Sequence, residues 1–381
     1  MKRKKICFVV STPGTARVFL RNHITELNTY FDIYLVANFE KYEFPDFFKD
    51  LPLKELKNIE ISRDVSLVKD FRALGSLRAY FKEMKFDAVH TVTPKVGLLG
   101  GLAARLAGVQ KRIHIFTGQV WHTKKGLFKK VLMFLDRFTV WNSTHILVDG
   151  ESQRQFLMKH KIVQESNSFV LGKGSISGVD TNRFVPNTMV KKETREALGI
   201  KENEVVYMFL GRMNTDKGIN DLADAFNRLR KKHVNARLLL AGGDEEKKTP
   251  VIKQKVQDIE SVIFYGVTPT PERLLQACDV FCLPSYREGF GTSLIEASLL
   301  GKPIICSDTY GLMETIIENK TGLRHQVADV DSLYFAMEKL INNQELRAEL
   351  GKGGRAYVME NFSAQTISKK WIEFYSKMFH V

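Results

Sequence analysis

Two carboxylates eight residues apart, Glu288 and Glu296, bracket the run Gly289-Phe290-Gly291-Thr292-Ser293. From Thr292 onward, Leu294, Ile295, Ala297, Leu299 and Leu300 supply the apolar face of a helix. Ahead of them, Val280-Phe281-Cys282-Leu283-Pro284 has the pattern of a short buried strand. A strand, a glycine loop and a helix in this order bring bare backbone N–H groups and a positive helix end to one point, which suits a phosphate. Glu296 falls about one turn into that helix. A carboxylate there cannot favour a phosphate, but it accepts hydrogen bonds from sugar hydroxyls. Glu288, before the loop, can do the same from the other side. The stretch reads as a site for a phosphorylated sugar compound, against the plainer alternative of a helix N-terminus with ordinary surface acids.

A second stretch bears on the same chemistry. Tyr207-Met208-Phe209-Leu210 has a buried-strand pattern and leads into Gly211-Arg212-Met213-Asn214-Thr215-Asp216-Lys217-Gly218, with a helix beginning near Ile219. A strand again ends in a glycine turn, here with two cations. Arg212 and Lys217 can clamp a diphosphate from the side opposite the Thr292 helix. Together the two stretches resemble the retaining GT-B glycosyltransferases of family 4. That family carries a Glu-x7-Glu motif, matched by Glu288 to Glu296, and a Gly-Arg-x4-Lys-Gly turn, matched by Gly211 to Gly218. The resemblance covers essentially the whole chain, best from Val205 to Leu323.

The resemblance implies an α/β chain of GT-B fold, two Rossmann-like doubly wound domains facing a central cleft. It implies transfer of a hexose or N-acetylhexosamine from a nucleotide-diphosphate sugar, a UDP-sugar by expectation, to a lipid-diphosphate-linked saccharide. The donor falls to Gly14, Gly211, Arg212, Lys217, Gly289, Phe290, Gly291, Thr292, Ser293, Leu294 and Glu296. Glu288, Arg212 and Lys217 carry the chemistry. As the glycosidic bond breaks, the cations and loop N–H groups stabilise the leaving diphosphate. Glu288 holds hydroxyls of the transferred sugar and Glu296 the ribose. The configuration is retained, and the departing phosphate itself takes the acceptor proton. No cofactor or metal is expected, because the cationic clamp replaces the metal and no Asp-x-Asp motif sits at a plausible strand end. The rivals are a GT-B epimerase of nucleotide sugars and a non-catalytic nucleotide-sugar-binding protein. The intact acids and cations argue against the second.

With 381 residues, the chain has room for two domains. At 44% hydrophobic and 26% charged its composition is that of an ordinary globular protein. No apolar run approaches the ~20 residues of a membrane span. The basic opening Lys2 to Lys5 precedes an apolar run, Ile6 to Val10, too short for a signal peptide. It reads as a first strand. Cys7, Cys278, Cys282 and Cys306 have no zinc-knuckle spacing and read as reduced buried thiols of a cytoplasmic protein. The net charge is +14, and residues 1–183 hold 30 lysines and arginines against 17 acids. This one-sided excess suits an anionic surface. Aromatic residues are not interleaved with the basic ones as in single-strand binders, so nucleic acid is not expected as a partner.

Strand and helix patterns alternate along the chain, which argues for doubly wound parallel sheets. A helix is expected from about Ala16 to Tyr30. The glycine-dense joint Gly172 to Asp180 divides an acceptor-binding domain, residues 1–183, from a nucleotide-sugar-binding domain, residues 184–362. A last helix, residues 363–381, is expected to cross back onto the first domain, as the GT-B resemblance implies.

Ligands of open α/β sheets lie at the carboxyl ends of the strands. In the first domain those ends offer Arg17, Arg21 and Lys95 to an acceptor diphosphate. Many family members carry a histidine after the strand that here ends at Phe116. This chain has Gly118 there, and Gln119 or His122 is the candidate replacement. His90 and His114, in or beside strands, read as packing residues or as supports behind the site. Beyond these residues, Leu127, Phe128, Val131, Leu132, Phe134 and Leu135 form an apolar face beside Lys124, Lys125, Lys129 and Lys130. That pattern suits a helix at an anionic membrane interface. The expected location is therefore cytoplasmic, peripheral on the inner face of the cytoplasmic membrane.

Overall fold

The computed structural model describes residues 3–39, 51–62 and 66–380. The expectations that involve Lys2 and Val381 lie outside the described residues. In chain order the first half forms β1 (Lys5–Val9), α1 (Pro13–Phe19), α2 (Arg21–Leu27), β2 (Asp32–Ala37), β3 (Glu55–Asn58) and α3 (Leu67–Met84). It continues with β4 (Ala88–Val92), α4 (Pro94–Leu106), β5 (Lys111–Phe116), α5 (Gly126–Asn142), β6 (His145–Val148), α6 (Glu151–Lys159) and β7 (Ser168–Val170). The second half begins with α7 (Thr188–Ala197), β8 (Val205–Leu210), α8 (Ile219–Lys232), β9 (Ala236–Ala241), α9 (Lys248–Lys255), β10 (Val262–Gly266) and α10 (Pro271–Leu274). Then come β11 (Val280–Leu283), α11 (Thr292–Leu299), β12 (Ile304–Ser307), β13 (Gly322–His325), α12 (Val330–Ile341), α13 (Gln344–Asn361) and α14 (Ala364–Phe379).

The chain divides into two compact units. One holds residues 1–178 with 364–381, the other 179–363. Each is built on a parallel sheet covered on both faces by helices, which is why its central strands read as nearly unbroken apolar runs. The first sheet has the order β3-β2-β1-β4-β5-β6-β7 and the second β10-β9-β8-β11-β12-β13. Strand order reverses between β1 and β4 in one sheet and between β8 and β11 in the other. Those reversals open the crevices where doubly wound sheets bind ligands.

Four features depart from the sequence expectations. The division falls after Gly178, not after Arg183, because Val179 bridges to Ser363 and Arg183 pairs with Glu272. The first helix starts at Pro13, capped by Thr12, which accepts a hydrogen bond from the Thr15 N–H. It is interrupted at Leu20, whose φ of −119° leaves the helical range, so α1 and α2 replace one continuous helix. The edge strands β3 and β13 are additional, each only four residues long.

In the first unit, α14 docks by aromatic and histidine contacts. Trp371 stacks on His23 at a ring separation of 5.1 Å and lies 5.0 Å from His90. Its indole N–H donates to the Ile176 carbonyl at 3.0 Å. His90 Nδ1 shares a 2.6 Å hydrogen bond with the Tyr375 hydroxyl, and His23 Nδ1 a 2.9 Å bond with Ser368. On the other face of the sheet, His114 Nδ1 lies 2.9 Å from the Thr91 hydroxyl, and its ring fills the space left by the missing side chain of Gly97. All three histidines are fully buried. Burial lowers His23 to about 4 and His114 to about 3, and pushes His90 well below its usual value.

These groups make the fold acid-sensitive in a defined window. The unfolded chain takes up protons below pH 6.5 while the buried rings resist them. Stability is therefore complete above about pH 6.5 and falls as the pH drops towards the folded values, by about 2 kcal/mol per histidine at pH 5. The urea midpoint should fall steeply between pH 7.5 and 5. A flat midpoint over that range would show that the rings are not buried as neutral groups.

Candidate functional site

At the reversal of the second sheet, two loops meet. The first leaves β8 at Gly211 and reaches α8 through a single helical turn, Thr215–Lys217, in which the Asn214 side chain accepts from the Lys217 N–H at 3.2 Å. Gly218 closes it with φ +65°, and a Cβ there would be driven into the Pro284 carbonyl oxygen of the second loop. Glycine is thus required twice over, by conformation and by contact. The second loop leaves β11 and enters α11 through Gly291, at φ +69°, where a side chain would strike Leu312. The first-turn N–H groups of α11 at Thr292 and Ser293 have no carbonyl within the helix to bond.

Side chains tie the two loops together. Arg287 binds Asp216 through Nε at 2.8 Å and through its terminal nitrogen at 2.7 Å. The Tyr286 N–H donates to the Asp216 carbonyl, and the Tyr286 hydroxyl donates to Asp221, both at 2.8 Å. Just beyond β12, Thr309 donates to the Tyr286 carbonyl at 3.1 Å.

The two expected clamp cations sit on the same turn, and each already has an acid. Lys217 Nζ is in direct contact with Glu288, which also accepts from Ser285 at 2.8 Å. Both members of that pair are largely buried. Arg212 is exposed and meets Glu245 at 3.2 Å, beside Asn214, which donates to the same carboxylate at 3.1 Å. Glu246 accepts from both the N–H and the hydroxyl of Thr215. Sequence reading missed Glu245, Glu246, Asp216 and Arg287. Asp216 and Arg287 stand inside the two stretches it singled out. Glu245 and Glu246 follow the Gly242-Gly243 strand end, whose Gly242 N–H donates to Gly266 at 2.7 Å.

Glu296 lies on α11, half-buried, with no hydrogen bond or ion pair for its carboxyl among the described residues. Burial raises it to about 7; Arg183 opposes the rise and Glu272 adds to it. An acid held without a partner near neutral pH is poised to accept hydrogen bonds from a ligand. Phe290 is buried against Phe362 and Leu294 is in the core, so both shape the loop from beneath. Gly289 closes against Gly311, where an added Cβ would meet the Gly289 carbonyl.

The remaining candidates belong to the first unit. Gly14 is exposed in the first turn of α1, and Arg17 and Arg21 are exposed on α1 and α2. Lys95, at the start of α4, is paired with Asp70 at 2.6 Å. The preceding Thr93 has φ +85°, an outlier for a β-branched residue, at the strand reversal of this unit. Gln119 is buried, and its side-chain carbonyl accepts from Gln153 at 3.2 Å. His122 sits in a helical turn, Val120–Thr123, with its ring edge-on to Phe156 at 4.9 Å. Beyond this turn, Leu127, Phe128, Val131 and Phe134 of α5 are exposed, as are Lys124, Lys125 and Lys130. Lys129 instead lies over the Trp121 ring at 5.6 Å. Trp121 also donates to Asp136 at 2.7 Å, which fixes the turn to the inner side of the helix.

Comparison with known proteins places this geometry. Residues 190–357 match the family model described as glycosyl transferases group 1, and residues 52–170 match the glycosyl transferase 4-like domain. The capsular polysaccharide biosynthesis glycosyltransferase CapM of Staphylococcus aureus is 29% identical over 314 residues, 81% of each chain. A UDP-Gal:alpha-D-GlcNAc-diphosphoundecaprenol alpha-1,3-galactosyltransferase of Escherichia coli is 27% identical over 92% of this chain and 90% of its own. The structure of a sucrose-phosphate synthase from Thermosynechococcus elongatus superposes with a TM-score of 0.84 at 19% identity, covering 99% of this chain and 100% of the other. The two family matches fall one in each half and together take in most of the sequence: the chain belongs to the GT-B glycosyltransferases of family 4 and is a glycosyltransferase.

Proposed function

We propose that this enzyme transfers a hexose or N-acetylhexosamine, with retention, from a UDP-sugar to a lipid-diphosphate-linked saccharide in bacterial surface polysaccharide assembly. The observation that carries the donor half is the meeting of Arg212, Lys217 and the first turn of α11 at one sheet reversal. The acceptor half is supported by relatives whose names specify capsule assembly and a diphosphoundecaprenol acceptor.

The ion pairs define how the clamp works. Arg212 is exposed and its contact with Glu245 is loose, so exchanging that carboxylate for a phosphate costs little. Lys217 is largely buried, and Glu288 with Ser285 fixes its position. Lys217 is thus aimed before the donor arrives and requires no reorganisation as charge grows on the departing diphosphate. Glu288 has a second task, to accept from hydroxyls of the transferred sugar. Glu296 accepts from the ribose hydroxyls. The leaving phosphate receives the acceptor proton, and the cations take the part that a metal plays elsewhere. The acceptor diphosphate falls to Arg17, Arg21 and Lys95, and α5 rests on the cytoplasmic membrane surface through its lysines.

The direct test is incubation with labelled nucleotide sugars and bacterial membranes. Label should pass into the lipid extract, and release of free sugar without an acceptor would select an epimerase instead. Arg212→Ala and Lys217→Ala should each lower turnover at least about 100-fold while thermal unfolding still shows a folded protein. Near-wild-type rates in both would remove this turn from the mechanism. Chelators should leave the rate unchanged, and a rate lost in chelator but restored by magnesium or manganese would refute the metal-free clamp.

Glu296 yields a prediction of opposite signs for stability and binding. Its folded value lies above the unfolded 4.5, so ionising it destabilises the ligand-free protein as the pH rises from 4.5 to about 7, and the cost is constant above that. Glu296→Gln should stabilise the free protein at pH 8 by about 1–2 kcal/mol, the shift being discounted for partial exposure. It should also weaken UDP binding roughly tenfold. Unchanged affinity would take the ribose away from this residue.

A further inference from the structure

Among the described residues, nothing covers the first three apolar residues on the outer side of α3. Leu67 is 73% exposed, Val68 71% and Phe71 71%. They stand at positions i, i+1 and i+4, so they form one compact tip at the amino end of the helix. The acids beside them are already matched: Asp70 by Lys95 at 2.6 Å, and Glu60 by Lys69 at 2.8 Å. Arg72, also exposed, leaves the local balance positive.

This tip is placed with respect to α5 by the fold of the first unit. Helices α3, α4 and α5 pack side by side on one face of the sheet. Each precedes a parallel strand, so each begins at the carboxyl end of the sheet. The Leu67–Phe71 tip and the Leu127–Phe128 end of α5 therefore project at the same end, with Pro94 and Lys95 of α4 between them. Two helix spacings separate the tips by roughly 20 Å. A protein partner normally covers one contiguous patch of about 800 Å². A compact tip on α3 and a separate apolar stretch from Leu127 to Phe134 on α5, each with cations beside it, do not form one such patch, but a flat anionic surface can touch both at once.

We propose that the first turn of α3 is a second membrane foot, and that with α5 it seats the carboxyl end of the first sheet on an anionic bilayer. This rests on the reading that the acceptor is lipid-linked. The two feet divide the work. The α5 lysines supply the attraction that salt screens, and Leu67, Val68 and Phe71 supply apolar burial that salt does not weaken. Standing on two feet also fixes the orientation of the unit, leaving Arg17, Arg21 and Lys95 at the level of lipid headgroups.

The test is co-sedimentation with phosphatidylglycerol–phosphatidylethanolamine vesicles at low and high salt, with circular dichroism and thermal unfolding as the check that the first unit of each variant is folded. Leu67→Ser/Val68→Ser/Phe71→Ser should lower vesicle affinity about tenfold at either salt concentration. Replacing Lys124, Lys125, Lys129 and Lys130 by Glu should abolish the salt-sensitive part. If the serine variant binds as wild type while the glutamate variant does not, the α3 foot is wrong and docking through α5 stands. If wild type does not bind vesicles at all, both fall. A wild-type dimer that the serine changes convert to a monomer, with vesicle binding unchanged, would assign the tip to self-association and overturn the proposal. Because all four native cysteines are buried, Phe71→Cys can carry a polarity-sensitive dye. Its emission should shift to the blue when anionic vesicles are added, and no shift would likewise reject the foot.

Discussion

The close approach of two backbones at the strand reversal of the second sheet governs the rest of its site. Gly218 lies against the Pro284 carbonyl, where no side chain fits. That contact brings the turn after β8 and the loop after β11 to one place. Arg287 with Asp216, and Tyr286 with Asp221, then hold them in register. Lys217 can reach Glu288 only because this register is kept. The site is thus fixed by main-chain proximity first and by charge second.

The charges arrive in balanced pairs, and the two pairs differ in kind. A largely buried Lys217–Glu288 pair keeps its geometry, because separating it would leave a charge without water or partner. An exposed Arg212–Glu245 pair is held weakly and exchanges readily. One cation is a fixture and the other is free to trade partners. Glu296 is the counterpoint, an acid with no partner among the described residues, whose carboxyl burial pushes up to about 7. Partnerless polar groups of this type weaken a fold and are retained where a ligand supplies the missing bonds.

Much of this was legible in the sequence because the chemistry demands particular residue types at particular spacings. A glycine turn, two cations and two acids can be read without coordinates, and so can the exposed apolar and basic faces of α5. The partners of the cations could not be read. Glu245 lies 33 residues from Arg212 and Glu288 lies 71 from Lys217, and only the sheet order brings them together. Glu288 was read for its hydroxyl-accepting role alone, and its tie to Lys217 emerged only from the fold. The hydrogen bond from Gln153 to Gln119 was likewise invisible, because 34 residues separate the two. Strands β3 and β13 escaped notice because edge strands need little apolar patterning. The break at Leu20 has no glycine or proline to mark it.

The last helix carries a consequence for how the molecule comes into being. Residues 179–363 form a continuous unit, whereas the other unit needs residues 364–381 added to 1–178. Trp371 and Tyr375 lie at the centre of that unit's core, against residues near its beginning such as Phe8 and His23. During synthesis the earlier-made unit must therefore wait, its core open, until more than 180 further residues have left the ribosome. The later-made unit can close first. The half that is translated first is the half that finishes last, and through that interval its unfilled groove is the surface on which a chaperone would act.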